Sequence, residues 1–382
     1  MSNYFSEPDL LKAPTERAAF SDRQAYVCAE LSKIAYFRFE GGHTVDAIID
    51  TARDVFGESD KIDLLSSRLK TMLAGAPEVT MDSRVALAKI LEVGGFELIE
   101  TFNKHGTQAF LCKRRIQRGD SGEKVVAYLA FRGTEPTEFK DIKTDISARL
   151  ITVEVAGQSF DMHQGYHDAL KLVDTDINRV LEGVAYDQLI VCGHSLGGAL
   201  GIAYTRFHAT GVNGACYTFG APPVGAVEFQ NGLKTPVYEI INELDIVPRL
   251  PNPWLGWFTV LLLRLLRLVA KSVTLLEKLL FSGQLDEKLE AFLESMTRYR
   301  HPGYLSYLVG VESEARLRYN LSTFDRLSLW VRMIGRKTFR AFNKLVADHN
   351  IDVYIAKLRT HAMSRNPSLR ASRKDDGGAA DE

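Results

Sequence analysis

Short, nearly continuous apolar runs alternate with helix-like stretches through the middle of the sequence. Four of these runs, rich in Val, Ile and aromatic residues, are VVAYLAF (125–131), QLIVCG (188–193), GACYTFG (214–220) and VYEIIN (237–242). Strands that are apolar along their whole length are typical of a parallel sheet with helices on both faces. The sequence therefore predicts a doubly wound α/β architecture with a mostly parallel sheet flanked by helices.

Two segments interrupt this alternation of strands and helices. Residues 252–298 and 312–346 both have helical patterns without intervening strands, and we interpret them as helical insertions in the α/β domain. We expect residues 1–370 to form one domain with these insertions. The polar, Gly- and Ala-rich residues 371–382 are expected to be a disordered tail.

Composition excludes several classes of protein. The chain of 382 residues is 46% hydrophobic and 25% charged, which argues against wholesale disorder and against a polytopic membrane protein. A formal net charge of −1 gives no general electrostatic reason to bind nucleic acid. The four cysteines are scattered without CxxC spacing, so we expect buried free thiols and no metal site.

The first residues, MSNYFSEPDLLKAPTER, lack the basic start and apolar run of a secretory signal peptide. We therefore expect no cleavable signal and a cytoplasmic protein that can associate with membranes.

Gly193-His194-Ser195-Leu196-Gly197 fits the pattern GxSxG between a predicted buried strand and a predicted helix. In the α/β-hydrolase fold this strand–turn–helix setting lifts the serine hydroxyl above the sheet edge as a nucleophile. Side chains at the two glycine positions would collide with the neighbouring strand and helix. The motif therefore predicts an α/β-hydrolase fold with Ser195 as the nucleophile.

The chain order of this fold, Ser, then Asp or Glu, then His, narrows the search for the other two catalytic groups. Asp245 lies in the segment that directly follows the strand VYEIIN and is the leading acid, with Glu243 as the alternative. Of the three histidines that remain, His301, His349 and His361, we favour His349 as the base. It stands in a predicted loop before a helix, whereas His301 leads into a strand-like segment.

Several further motifs resemble the class 3 lipases, the fungal triacylglycerol lipase-like family of α/β hydrolases. They are LAFRGT (129–134), HQGYHDAL (163–170), GHSLGG (193–198), YTFGAPPVG (217–225) and the segment NELDIVPRLP. The resemblance implies that the acid is Asp245, before Ile-Val-Pro, and that the base is His349, with Tyr354 downstream. It also implies that the His301-Pro302-Gly303 segment is not the catalytic position.

The resemblance further implies an oxyanion hole made by the backbone N–H groups of Thr134 and Leu196. Such preorganised donors stabilise the tetrahedral intermediate, and the loss of one raises the barrier by about 3 kcal/mol. No cofactor and no metal are implied.

The first insertion is basic and apolar. Trp254 and Trp257 precede a stretch (261–281) in which Arg264, Arg267, Lys271, Thr274 and Lys278 share one helical stripe. Three cations near the middle of a bilayer cost about 2.5 to 3.5 kcal/mol each, whereas ten Leu, Val and Phe residues recover only about 0.3 to 0.6 each. We therefore favour an interfacial helix over a membrane span, and a helix packed on the protein core is an equal alternative.

The region 316–374 carries 14 lysines and arginines against three aspartates, interleaved with aromatic residues. Basic and aromatic side chains together favour an anionic membrane surface, so we expect peripheral contacts through 254–281 and 326–346. We therefore expect a serine hydrolase that cleaves fatty-acyl esters of glycerolipids, of lipase or phospholipase type. The alternatives are a non-catalytic lipase-like protein that binds a membrane or a partner, and an esterase for soluble substrates.

Overall fold

A central sheet of eight strands organises the described part of the computed structural model. The structure describes residues 19–37, 42–43, 48–49, 53, 60–72, 81–117, 122–133, 149–208, 214–250, 294, 296–319, 321, 325 and 347–365. The strands of the central sheet are β3 (Glu97–Lys104), β4 (Thr107–Gln117), β5 (Glu123–Phe131), β8 (Gln188–His194), β9 (Ala215–Phe219), β10 (Val237–Asn242), β11 (Tyr304–Val309) and β12 (Arg316–Arg318). Two small sheets pair β1 (Gly42–His43) with β2 (Met81–Asp82), and β6 (Leu150–Val155) with β7 (Gln158–His163).

The strand order of the central sheet is β12-β11-β10-β9-β8-β5-β4-β3. The five central strands, β11, β10, β9, β8 and β5, are mutually parallel, whereas β12, β4 and β3 are antiparallel to their neighbours. This mostly parallel sheet confirms the predicted α/β-hydrolase architecture, and all four apolar runs form strands at its centre.

Helices cover both faces of the sheet. The described helices are α1 (Asp22–Ile34), α2 (Asp60–Met72), α3 (Ser83–Val93), α4 (Gln164–Glu182), α5 (Leu196–Phe207) and α6 (Ile351–Arg365). Tyr128 and Ile190 point to the hydrophobic cluster under α1, α2, α3 and α6, whereas Leu129 and Val191 point to the cluster under α4 and α5. Because neighbouring strand residues face opposite sides, an apolar run is buried on both faces.

The parallel register brings the carboxyl ends of the central strands to one edge. Phe131 of β5 pairs with Gly193 of β8, and His194 of β8 pairs with Phe219 of β9. The loop after β10 begins at the same edge. The residues that follow β5, β8 and β10 are therefore neighbours, which is where ligands bind in open α/β sheets.

The prediction of a helical insertion from residue 312 is wrong at its start. Glu312–Glu314 form a 3₁₀ turn, and Arg316–Arg318 form β12, which pairs antiparallel with β11. Leu317 is buried between two exposed arginines, the two-residue period of an edge strand. A strand of three residues is too short for its two-residue period to be recognised in a sequence whose longer pattern is helical.

Other calls lie outside the described residues. These are nearly all of the insertion 252–298, nearly all of 320–346 and the tail 371–382. Among the helices that the structure describes, none has the length and apolar character to cross a bilayer.

Candidate active site

Ser195 occupies a sharp turn between β8 and α5. Its backbone angles are φ 57° and ψ −130°, outside the regions that non-glycine residues usually adopt. The Ser195 N–H donates to the Phe219 carbonyl at 2.9 Å, and its carbonyl accepts from Gly198 N at 3.0 Å. The predicted strand–turn–helix setting of the GxSxG motif is therefore present.

Glycine is required on both sides of this turn by close approach of the backbone. A Cβ at Gly193 would lie 2.3 Å from the Gly197 backbone, and a Cβ at Gly197 would lie 2.3 Å from the Phe131 carbonyl oxygen. Real Cβ contacts are longer than this, so either side chain would force β5, β8 and α5 apart.

Asp245 lies fully buried in the loop after β10. Its Oδ1 accepts from Val247 N at 2.9 Å, and its Oδ2 lies 2.7 Å from His349 Nδ1. One carboxylate oxygen of Asp245 therefore binds the backbone of its own loop, which we call the acid loop (residues 243–250). The other carboxylate oxygen contacts a histidine. The carboxylate in contact with His349 Nδ1 is that of Asp245 and not that of the alternative acid, Glu243.

His349 is buried in the loop just before α6. Its carbonyl oxygen lies 2.7 Å from His194 Nε2, and the preceding Asp348 carbonyl accepts from Asn242 Nδ2 at 2.8 Å. An ionised carboxylate can only accept, so the short contact to Asp245 assigns the imidazole proton to Nδ1. Nε2 is then the ring atom that can take a proton from a nucleophile.

The other two candidate histidines have different partners. His301 Nδ1 lies 2.6 Å from Glu239 Oε2, and its Nε2 lies 2.6 Å from the Pro248 carbonyl. His361 Nδ1 accepts from Leu317 N on β12. The structure therefore pairs Asp245 with His349, the acid and the base that the sequence favoured, and the turn of Ser195 lies at the same edge of the sheet.

Three residues that support the site were not assigned a role from the sequence: Tyr354, Asn242 and Lys357. Tyr354, on the first turn of α6, donates its hydroxyl to Asp245 Oδ2 and accepts from Asn242 N at 3.0 Å. Burial and the neighbouring Asp245 raise the Tyr354 pKa well above its ordinary value, so the hydroxyl stays a donor. Lys357 Nζ donates to Asn242 Oδ1 at 2.7 Å. The spacing of Tyr354 and Lys357 from His349 was the available signal in the sequence. Only the structure shows that both side chains reach Asn242 at the end of β10.

The expected oxyanion hole is only partly within the described residues. Leu196 is the first residue of α5, where backbone N–H groups lack partners inside the helix and can bind an anion. Thr134 lies outside the described residues. Gly133, just before it, passes close to Ser195, since a Cβ there would lie 3.2 Å from Ser195 Cβ.

The described residues contain no group of three His, Cys, Asp or Glu side chains arranged to hold a metal ion. All four cysteines are buried and free, as the sequence predicted.

The sequence of residues 128–254 matches the family Lipase (class 3). This segment spans β5 to the acid loop and contains Ser195 and Asp245. This region of the chain is similar to the class 3 lipases. Toxin TseL of Vibrio cholerae serotype O1 is 27% identical to the chain over 212 residues, which are 53% of this chain and 30% of the toxin. The chain thus matches less than a third of the length of this relative.

Solved lipases are similar at lower identity. Lipase II from Rhizopus niveus is 20% identical, with a TM-score of 0.40 over 72% of this chain and 85% of that one. The nonglycosylated LIP2 lipase of Yarrowia lipolytica is 16% identical, with a TM-score of 0.42 over 79% and 86% of the two chains. The fold assignment of the class 3 lipase region rests on its own strand order and register.

Proposed function

We propose that this chain is a serine hydrolase that cleaves fatty-acyl esters of glycerolipids through an acyl-enzyme on Ser195. The observation that carries the proposal is the buried contact of 2.7 Å between His349 Nδ1 and Asp245 Oδ2 at the sheet edge where the Ser195 turn lies. A nucleophile, a base and an orienting acid on three separate loops form a unit that a purely structural role does not require.

In the proposed reaction, Ser195 Oγ attacks the ester carbonyl while His349 Nε2 takes the hydroxyl proton. Asp245 keeps the imidazole in the tautomer that leaves Nε2 as acceptor, and stabilises the imidazolium that forms. The backbone N–H groups of Leu196 and Thr134 hold the oxyanion. His349 then protonates the leaving alcohol, and a water molecule, activated by the same histidine, releases the fatty acid.

The substrate class is inferred from the class 3 lipase region and from the composition of the insertions. We propose mono-, di- or triacylglycerol or phospholipid at a membrane surface, with the basic, apolar residues 254–281 and 326–346 as the peripheral contacts. These two segments lie outside the described residues, so their charge pattern alone supports this part of the proposal.

The test measures fatty-acid release from liposomes that contain anionic phospholipid and diacylglycerol, and from a soluble short-chain ester. Ser195→Ala and His349→Ala are expected to abolish release from both. Ser306→Ala and His208→Ala are matched controls, because each removes a serine or histidine that does not contact the three site residues. Both controls are expected to keep wild-type activity.

Labelling by a fluorophosphonate separates the remaining alternatives. Labelling of the wild type but not of Ser195→Ala, with release from liposomes, supports the lipase. Activity on the soluble ester that is indifferent to liposomes indicates an esterase instead. Absence of labelling and of release by the wild type would point to the non-catalytic protein.

A further inference from the structure

His194, the residue before the nucleophile, is buried between two parts of the site. Its Nδ1 lies 2.7 Å from the Tyr36 hydroxyl, and its Nε2 lies 2.7 Å from the carbonyl oxygen of His349. The His194 and His349 rings lie 4.5 Å apart between centroids. His194 therefore contacts the loop of the proposed base at both its backbone and its ring.

The partners of His194 determine its tautomer. The His349 carbonyl can only accept, so His194 Nε2 carries the proton. Burial and the adjacent His349 hold the pKa of His194 well below its ordinary value, so the ring is neutral. Nδ1 then accepts from the Tyr36 hydroxyl. A neutral ring is also what the proposed mechanism requires, because a positive charge forms on His349 during each turnover.

Tyr36 lies far from His194 and His349 in the sequence, and it approaches a third part of the site, the backbone at Gly133. It follows α1 in a tight turn, with its N–H donating to the Lys33 carbonyl at 3.0 Å. A Cβ at Gly133 would lie only 2.3 Å from the Tyr36 hydroxyl oxygen. The hydroxyl thus lies directly against the backbone that leads into Thr134.

We infer that Tyr36 and His194 are positioning residues that fix the His349 loop, and the chain entering the oxyanion hole, relative to Ser195. The inference rests on the proposed function. Asp245 orients the His349 ring from one side, and the Tyr36–His194 pair holds its backbone from the other. In this inference both residues act through the base and the oxyanion donors, and neither acts on the reacting atoms directly.

Three variants separate hydrogen bonding from packing. His194→Leu removes both polar contacts, His194→Gln keeps an N–H donor for the His349 carbonyl, and Tyr36→Phe removes only the donor to His194. Tyr204→Phe is the matched control, since its buried hydroxyl donates to Asn178 at 2.9 Å and neither residue contacts the site. The measurements are the rate constant of fluorophosphonate labelling, kcat and KM on a soluble ester per labelled site, and Tm.

His194→Leu is expected to lower the labelling rate and kcat by about 10- to 100-fold, because small misplacements of catalytic groups have effects of that size. His194→Gln should recover most of this loss, and Tyr36→Phe should lower both rates by roughly three- to tenfold. KM should stay unchanged, since substrate binding is not altered. Tyr204→Phe should lower Tm without changing either rate.

A role in packing alone would lower Tm and leave labelling and kcat within twofold of wild type in all three variants, which overturns the inference. Equal losses in His194→Gln and His194→Leu also overturn it. If His194→Leu does not fold, His194→Gln and Tyr36→Phe decide by the same criteria. Activity that survives Ser195→Ala would instead remove the proposed function itself.

Discussion

The Ser195 backbone adopts a conformation that costs a non-glycine residue about 1 to 3 kcal/mol. The surrounding contacts offset this cost. Its N–H and carbonyl are both hydrogen-bonded, and the absence of side chains at Gly193 and Gly197 lets three backbone segments meet at the turn. The proposed nucleophile, Ser195, is therefore positioned by the backbone, and its neighbours leave little freedom to move it.

At this scale we predict that Asp245→Asn lowers kcat by about 10⁴-fold. The asparagine amide would present an N–H to His349 Nδ1 and favour the tautomer whose Nε2 already carries a proton. The measurement is kcat on a soluble ester, with folding checked by Tm. Asp174→Asn is the control, because it alters another close histidine–aspartate pair, His208 with Asp174, away from the site. Retention of more than a tenth of wild-type kcat in Asp245→Asn would contradict the assignment of the acid.

The acid loop (243–250) is held by its main-chain carbonyls as well as by Asp245. Arg249 donates to the Asp245 carbonyl at 3.0 Å and to the Glu243 carbonyl at 2.7 Å. His301 lies opposite, between the Pro248 carbonyl and the buried Glu239 of β10. Both partners of His301 are acceptors, so the geometry favours the doubly protonated imidazolium. The position of the acid loop therefore depends on the positive charge of His301, which lies in the segment before β11.

The His301–Glu239 pair predicts a pH-dependent contribution to stability. Burial disfavours the charge on His301, but Glu239 and the Pro248 carbonyl outweigh this effect of burial and raise the His301 pKa. A raised folded-state pKa means that the contribution is complete below the unfolded pKa of about 6.5 and is lost as pH rises through the folded value. Urea unfolding of wild type and His301→Gln should therefore show a larger difference in free energy at pH 6 than at pH 9.5.

Glu239→Gln supplies the control for this pair. It should give a similar dependence on pH, and the effect of the double variant should be smaller than the sum of the two single effects. A difference between wild type and His301→Gln that is constant across this pH range would refute the charged pair.

The whole molecule is nearly neutral but its charge is distributed unevenly. The net charge of −1 includes a region, 316–374, with 14 lysines and arginines against three aspartates. Basic residues that lie at the protein surface attract anionic lipid over roughly one Debye length, about 8 Å at physiological salt. We expect such attraction to bring the proposed site to its substrate.

Reversal of three charges in the first insertion tests the separate proposal that residues 254–281 contact the membrane. Arg264→Glu, Arg267→Glu and Lys271→Glu together should lower binding to liposomes with 30 mol% anionic lipid, with about 1 kcal/mol lost for each charge near the surface. Co-sedimentation at low and high salt is the measurement, and activity on a soluble ester should not change. Reversal of Arg84, Arg115 and Arg179, which are exposed elsewhere, is the matched control. Equal binding by both triple variants would favour packing of this segment on the protein.

Local patterns were enough to predict much of the fold and the central candidates of the site. The apolar runs predicted the parallel core because burial on both faces favours apolar residues along most of each strand. GxSxG between a strand and a helix predicted the turn at Ser195, because only glycine tolerates the close approach at Gly193 and Gly197. Asp245 and His349 followed from the order of residues along the chain, with Glu243 and His301 as alternatives.

Only the tertiary structure decided which of those candidates meet and what holds them. His349 lies against Asp245, whereas His301 pairs with Glu239, and the same residue type therefore has two different roles. Tyr36 and His194 are 158 positions apart in the sequence, yet they share a hydrogen bond beside the nucleophile. Sequence periodicity reports which face of an element is buried, whereas contacts across such separations depend on how α1, β8 and the loop before α6 pack together.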